Sequence, residues 1–333
     1  MSPRVLGVRA GGVEDDDFDD FDRASGYSRP RTKTRPKFDD APIGRVLGVD
    51  RGRFAVECDN RLSRAIKARP LGRRSVVVGD RVRLQGDISG TDDALARIVE
   101  VLPRSSLLRR SPDDADPVER PLVANVDQLL IVTAAADPAP RIGMIDRLIV
   151  AAEAGGIDPL IVVTKTDLAG PDELLAAYSA LDVPMMATQK GADLSAIRAC
   201  LEGHFTVLAG HSGVGKSTLI NALAPAAARQ TGVVNDVTGK GRHTSSSAVA
   251  IPIDDTGTWV IDTPGLRSFG LAGVAPSQVV SAFPDVAGFA EDCPRGCQHL
   301  TGTLECALDD AVLDGKLDAG RLLSLRRILD TIA

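Results

Sequence analysis

The pattern GHSGVGKS at residues 210–217 constrains the fold of this chain more than any other feature. It follows an apolar strand at residues 206–209 and opens a helix at residues 217–223, the context in which this pattern forms a phosphate-binding loop. Glycines let backbone N–H groups close around phosphates, and the helix N-terminus favours their charge. Lys216 is expected to reach the β- and γ-phosphates, and Ser217 to bind Mg²⁺. The predicted loop residues are Gly210, His211, Ser212, Gly213, Val214, Gly215, Lys216, Ser217 and Thr218.

A second phosphate-site motif, DTPG, ends another apolar strand at residues 262–265. The carboxylate of Asp262 suits the Mg²⁺ shell, and the N–H of Gly265 suits a position near the γ-phosphate. From residue 123 onward, apolar strands alternate with amphipathic helices, which predicts a doubly wound α/β domain with a mainly parallel sheet. Ligands of such sheets bind at the carboxyl ends of the strands, where both motifs fall.

A guanine-reading motif, TKTD, stands at residues 164–167 and therefore precedes the phosphate loop. The carboxylate of Asp167 can accept both N1–H and N2–H of guanine, and the stem of Lys165 would pack over the base. Thr164 stands where most GTPases have Asn. In isolation, TKTD is equally compatible with a helix cap. The segment ATQKG at residues 187–191 ends the next strand, in position to meet the guanine O6 through backbone N–H groups.

The motif order TKTD, ATQKG, GHSGVGKS, DTPG is inverted relative to ordinary GTPases, and no second [NT]KxD follows Gly265. The residues of such a site come together only in three dimensions. The order of its strands along the chain can therefore change without loss of the contacts to the nucleotide. The order predicts a circularly permuted P-loop GTPase domain of the α/β class. A P-loop ATPase or kinase, and an RNA-binding scaffold with little hydrolysis, are the alternatives.

The segment before this domain differs in composition. Residues 42–104 contain short alternating strands and thirteen Lys and Arg against eight Asp and Glu, within a chain of net charge −6. This pattern predicts a small β-barrel of the OB type, for which an SH3-like barrel is an alternative. Its basic character suits phosphate-rich surfaces, for which a merely solvated face is the alternative. The scarcity of aromatic residues favours RNA contact through shape and phosphates. Residues 1–41 are charged and poor in apolar residues, which predicts a disordered tail.

The C-terminal region contains three of the five cysteines beside a histidine, which offer a closed set of three thiolates and one imidazole. This set is appropriate to one structural Zn²⁺, and buried free cysteines are the alternative. The predicted ligands are Cys293, Cys297, His299 and Cys306. The expected domains are therefore residues 1–41 (tail), 42–104 (barrel), 105–270 (GTPase domain) and 271–333 (zinc-binding helical domain).

The chain has 333 residues, enough for two or three domains. It contains no apolar run of about 18 residues and no signal-peptide pattern. The expectation is a cytoplasmic protein without membrane contact.

The permuted order, the barrel, the segment GKGRHTSSS at residues 239–247 and the Cys/His cluster together resemble the small ribosomal subunit biogenesis GTPase family, RsgA or YjeQ. The resemblance covers residues 42–333. It implies that Thr244 is the switch threonine on Mg²⁺ and the γ-phosphate. It also implies GTP hydrolysis stimulated by the 30S subunit, contact with 16S rRNA, a role in late 30S maturation and a monomeric state. A GTPase acting on another partner, such as the 50S subunit, is excluded by resemblance alone.

Hydrolysis requires a residue that orients the attacking water, commonly a Gln just after the DxxG motif. Leu266 occupies that position and cannot hydrogen-bond. His243, next to Thr244, is the predicted substitute, as the resemblance also suggests; an exposed or RNA-contacting His243 is the alternative.

Overall fold

A computed structural model describes residues 38–71, 75–91, 94–110, 120–179, 181, 183–225, 248–254, 256–263, 275–281 and 283–330. His243, Thr244, Gly265 and Leu266 lie outside these ranges, as does nearly all of the predicted tail. Among the helices of the described ranges, none combines the length and apolar character that a bilayer crossing requires.

The N-terminal barrel is a five-stranded Greek key. Its strands are β1 (Ile43–Asp50), β2 (Arg53–Cys58), β3 (Arg61–Lys67), β4 (Arg81–Gly86) and β5 (Ala96–Val101). They follow the order β1-β2-β3-β5-β4, β4 pairs back with β1, and β3 runs parallel to β5. A 3-10 turn at Arg69–Leu71 follows β3. The closed order with a parallel β3–β5 pair is that of an OB fold and decides against the SH3-like alternative.

A two-stranded hairpin follows the barrel, formed by β6 (Leu107–Arg110) and β7 (Arg120–Ala124). Sequence patterning did not predict this hairpin. After it the central sheet is built from β8 (Gln128–Ala134), β9 (Asp158–Thr164), β10 (Met185–Ala187), β11 (Phe205–Ala209), β12 (Val249–Pro252) and β13 (Trp259–Asp262). Their spatial order is β10-β9-β8-β11-β13-β12, and only β12 among these strands runs antiparallel to its neighbours.

Helices cover both faces of this sheet. One face carries α1 (Ile142–Ala154) and α2 (Asp172–Tyr178), and the other carries α3 (Ser195–Leu201) and α4 (Lys216–Leu223). Alternate residues of β8 divide between the two cores: Leu129 and Ile131 face α1, while Leu130 and Val132 face α4. The sheet is therefore doubly wound, as the alternation of strands and helices predicts.

The described residues of the C-terminal part form four helices: α5 (Pro276–Ser281), α6 (Pro284–Ala290), α7 (Ala307–Leu313) and α8 (Ala319–Asp330). Their apolar residues, including Val279, Leu308 and Leu325, belong to the same buried cluster as α1. The C-terminal helices therefore extend the layer of α1 rather than forming a separate core.

Candidate functional site: a nucleotide-binding edge and a cysteine–histidine cluster

The phosphate loop leaves β11 at Ala209 and enters α4 at Lys216. Gly210 has φ +151°, and a Cβ there would lie 2.1 Å from the carbonyl oxygen of Val132 on β8. Gly215 precedes α4 in a left-handed conformation with φ 95°. Gly210 excludes a side chain because the backbone approaches β8 closely there, whereas Gly215 disfavours one because its backbone is left-handed. The loop therefore presents its backbone at the carboxyl edge of the sheet.

Lys216 and Asp262 influence each other at this edge. The Nζ atom of Lys216 donates to the carbonyl oxygens of Gly210 at 2.6 Å and His211 at 2.9 Å. Burial lowers the pKa of Lys216, and the nearby carboxylate of Asp262 partly offsets this. Burial raises the pKa of Asp262, and Lys216 partly offsets that shift in turn. The two side chains therefore interact electrostatically at the end of the sheet where the phosphate loop begins.

Strand register explains the position of Asp262. It is the last residue of β13 and pairs with Leu208 of β11, just before the phosphate loop. The hydroxyl of the next residue, Thr263, donates to the carbonyl oxygen of Leu208 at 2.6 Å and is buried. This bond, which sequence analysis missed, ties the start of DTPG to the phosphate-loop strand.

The TKTD motif touches the phosphate loop through its first residue. Thr164 ends β9 and is buried, and its hydroxyl lies 2.5 Å from the carbonyl oxygen of Val214 and 3.1 Å from that of Thr133. The two motifs therefore converge although they occur in inverted order along the chain. The side chain of Thr164 is directed at backbone and supports the phosphate loop.

Lys165 is bonded to a neighbouring loop, whereas Asp167 is exposed. The backbone of Lys165 has φ 57°, and its ammonium group donates to the backbone carbonyl of Asp137, whose carboxylate lies 3.9 Å away. Asp167 is exposed in a turn closed by the N–H of Leu168, which donates to the carbonyl of Lys165 at 3.0 Å. An exposed carboxylate at this edge is accessible to a base.

The ATQKG segment lies beside TKTD. Both the N–H and the hydroxyl of Thr166 donate to the carbonyl oxygen of Thr188, at 3.3 and 3.2 Å. The N–H of Thr188 donates in turn to Val163 at 2.8 Å. The two segments predicted to surround the guanine are thus adjacent.

Sequence analysis missed the loop between β8 and α1. Asp137 holds Lys165, and Arg141 lines a narrow crevice together with Gly210, His211 and Val214 of the phosphate loop. The position of this loop in the sequence could have identified it. The loop follows a buried parallel strand, and such loops lie at the ligand-binding edge of the sheet.

The four predicted metal ligands form one cluster. Their ligand atoms all lie within 4.8 Å of one another. The Nδ1 atom of His299 is 3.5 Å from the Sγ atoms of Cys293 and Cys297 and 3.9 Å from that of Cys306. Burial, with the neighbouring thiols, raises the pKa of Cys293 to about 11. Three sulfur ligands and one nitrogen at these separations fit a tetrahedral Zn²⁺.

An arginine next to this cluster hydrogen-bonds to one of its residues. The Nε atom of Arg326 on α8 donates to the carbonyl of His299 at 3.1 Å, and its two terminal nitrogens each lie 2.7 Å from the carboxylate of Asp309. These bonds lower the pKa of Asp309. The cluster is therefore anchored to two helices, α7 and α8.

A phosphate loop, an upstream guanine-reading motif in contact with it, and a DTPG strand in register with the loop together define a circularly permuted GTPase. The family model described as RsgA GTPase matches residues 101–272. A protein of Gemmatimonas aurantiaca named "Small ribosomal subunit biogenesis GTPase RsgA" is 38% identical over 269 residues, 78% of this chain and 86% of the relative. One of the same name from Yersinia enterocolitica is 34% identical, over 93% of this chain and 92% of the relative.

Two solved structures share the fold. One is YloQ, described as a circularly permuted GTPase, with a TM-score of 0.63 and 26% identity over 88% of this chain and 95% of that one. The other is YjeQ from Thermotoga maritima, with a TM-score of 0.62 and 26% identity over 87% of this chain and 98% of that one. The chain belongs to the RsgA GTPase family, and it is a GTP hydrolase.

Proposed function

We propose that this protein hydrolyses GTP on the 30S ribosomal subunit during late small-subunit maturation, and that the 30S subunit stimulates the reaction. One observation carries the nucleotide half of this proposal: Thr164 of the base-reading motif is hydrogen-bonded to Val214 of the phosphate loop. The ribosomal half is supported by the names of the relatives, "Small ribosomal subunit biogenesis GTPase RsgA".

In this proposal, base and triphosphate occupy opposite ends of the sheet edge. Asp167 accepts the two guanine N–H groups and Lys165 packs over the base. Lys216 contacts the β- and γ-phosphates, and Gly265 donates its N–H to the γ-phosphate. Asp262 at the strand end, with the hydroxyls of Ser217 and Thr244, provides oxygen ligands of the type Mg²⁺ prefers. When bound, Mg²⁺ neutralises charge that develops on the phosphates.

His243 is proposed to orient the attacking water, because Leu266 occupies the place of the usual Gln. Slow intrinsic turnover follows from this, with the ribosome ordering the segment that contains His243. If His243→Ala left 30S-stimulated hydrolysis unchanged, His243 would have no part in the mechanism.

The barrel is proposed to contact 16S rRNA, and the cysteine–histidine cluster to hold one structural Zn²⁺. Support for RNA contact comes from exposed arginines on the barrel, namely Arg51, Arg53, Arg61, Arg81 and Arg97. Such residues bind phosphates without reading sequence. The protein is proposed to act as a cytoplasmic monomer.

The decisive measurement is the GTPase rate of the full chain with and without purified 30S subunits. A large stimulation is expected; the 50S subunit serves as the control, and equal stimulation by both would contradict the assignment to the small subunit.

Base specificity is tested separately. Asp167→Asn is expected to abolish the preference for GTP over ATP and to favour xanthosine triphosphate, because the amide can donate to the xanthine O2. Asp172→Asn, at an exposed carboxylate in the first turn of α2, is the matched control. Unaltered GTP preference in Asp167→Asn would show that Asp167 does not read the base. A preference of the unaltered protein for ATP would instead favour the ATPase or kinase alternative.

A further inference from the structure

The barrel and the nucleotide site share one β-ladder. Gly48 of barrel strand β1 pairs with Val249 of β12, Val249 pairs with Asp262 of β13, and Asp262 pairs with Leu208 of β11. A single row of residues thus runs from the OB fold to the carboxylate of the magnesium site. Adjacent strands lie about 4.8 Å apart, so Gly48 is roughly 10 Å from Asp262 across the sheet.

A β-bulge in β1 lies at the start of this row. Val46 pairs with Val56 of β2 and Gly48 pairs with Ala55, which leaves Leu47 as the extra residue. Val46 belongs to the barrel core, whereas Leu47 is 2% exposed and belongs to the main core of the GTPase domain, together with residues of β12 and β13. Bulges re-aim side chains in this way. Leu47 is therefore a barrel residue that packs in the core of the neighbouring domain.

Other contacts make this junction close-packed. The guanidinium of Arg45 lies 4.6 Å from the ring centroid of Phe205 on β11. The N–H of Ala124 donates to the carbonyl of Val78 at 3.0 Å. A Cβ on Gly79 would lie 1.8 Å from the carbonyl oxygen of Ala124, so the two backbones approach as closely as glycine permits. The barrel therefore has a defined position against the sheet.

We propose that Leu47 is a positioning residue for GTP hydrolysis. By anchoring β1 in the main core, it fixes the Gly48–Val249–Asp262 row and so sets where the Asp262 carboxylate meets Mg²⁺. The barrel is then a structural part of the magnesium site as well as a surface for other contacts. This inference rests on the proposed roles of Asp262 and Mg²⁺.

The test is the Mg²⁺ dependence of hydrolysis in the full chain. Leu47→Ala is expected to raise the Mg²⁺ concentration for half-maximal GTPase rate by about tenfold, because a carboxylate displaced from its position loses metal affinity. GDP affinity measured in EDTA is expected to change by less than about twofold, since the contacts of Asp167 and Thr164 remain. A change in fold stability alone does not raise the Mg²⁺ requirement while leaving the GDP affinity in EDTA unchanged.

Leu84→Ala is the matched control. Leu84 lies on barrel strand β4, is 0% exposed and belongs to the barrel core, so the same truncation leaves a cavity of similar kind away from the junction. If Leu84→Ala shifted the Mg²⁺ requirement as much as Leu47→Ala, or if Leu47→Ala did not shift it, the inference would be wrong. Should Leu47→Ala fail to fold, Leu47→Val takes its place in the same comparison, with a smaller shift in the same direction expected. Absence of Mg²⁺-dependent GTP hydrolysis in the unaltered protein would instead overturn the proposed function.

Discussion

The hydroxyl of Thr164 lies 2.5 Å from the carbonyl oxygen of Val214, so the base-reading motif directly supports the phosphate loop. A hydroxyl has one proton, and Thr164 shares it between this carbonyl and that of Thr133 at 3.1 Å. The residue in the position of the usual Asn therefore still connects the two halves of the site, but through a single donor.

Thr164→Val is expected to weaken GDP binding about tenfold. The substitution keeps the shape but removes the hydroxyl that donates to these two buried carbonyls, a loss of roughly 1–2 kcal/mol. Isothermal titration calorimetry measures the Kd. Thr166→Val is the control, because the hydroxyl of Thr166 bonds Thr188 and not the phosphate loop; equal losses in both variants would show that Thr164 has no special role.

Gly210→Ala is expected to abolish tight nucleotide binding. Its new Cβ would lie 2.1 Å from the carbonyl oxygen of Val132, so the loop must move away from β8. Gly203→Ala is the control: Gly203 also has positive φ, at 74°, but a Cβ there meets nothing within 4 Å. The affinity of each variant for fluorescent GDP, measured at equal folded fraction, separates the effect of the clash from that of the left-handed backbone. A Gly210→Ala protein with wild-type affinity would contradict this explanation.

Cys297→Ser is expected to lower the zinc content of the purified protein from about one per chain to a small fraction, because one of four ligands loses its thiolate. The melting temperature should fall as well, since the cluster links α7 and α8 through Cys306 and Arg326. Elemental analysis and thermal unfolding measure both effects. Cys200→Ser, at an exposed cysteine remote in sequence from the cluster, should change neither.

Arg327→Met is expected to destabilise the fold by roughly 2–3 kcal/mol at neutral pH, because it leaves a buried carboxylate without its cation. Arg327 on α8 donates to Asp146 on α1 at 2.8 and 3.2 Å, and Asp146 is 0% exposed. Adding Asp146→Asn should recover about half of the loss, as measured by urea unfolding. The control pair is Arg321–Asp285, whose carboxylate is 53% exposed, so Asp285→Asn should cost under about 1 kcal/mol.

The same pair predicts a pH dependence. Burial raises the pKa of Asp146, and the bonds from Arg327 restrain that rise. In Arg327→Met the folded-state pKa must rise further above the unfolded value. A group raised in this way stabilises the fold below its unfolded pKa, and that stability is lost as pH rises through the folded pKa. The loss in free energy of unfolding caused by Arg327→Met should therefore become smaller as the pH falls from neutral towards 5. A loss that became larger would contradict the buried-charge explanation.

Local pattern was sufficient to predict the strands that precede the motifs of the proposed site. Apolar runs ending in GHSGVGKS, DTPG and TKTD place each motif at the carboxyl end of a strand, and the structure has β11, β13 and β9 at those places. The Cys and His spacing likewise identified the four residues that cluster. The β6–β7 hairpin and β12 were not predicted, because short strands lack enough alternation to stand out from loops.

The order of the motifs along the chain was enough to predict a permuted GTPase, because each motif is a local pattern. Three features became visible only in the folded protein: the OB type of the barrel, the hydrogen bond from Thr164 to the phosphate loop, and the packing of Leu47 in the core of the next domain. Each of these depends on which distant strands pair and in what register, and backbone hydrogen bonding between strands leaves no local signature in either partner.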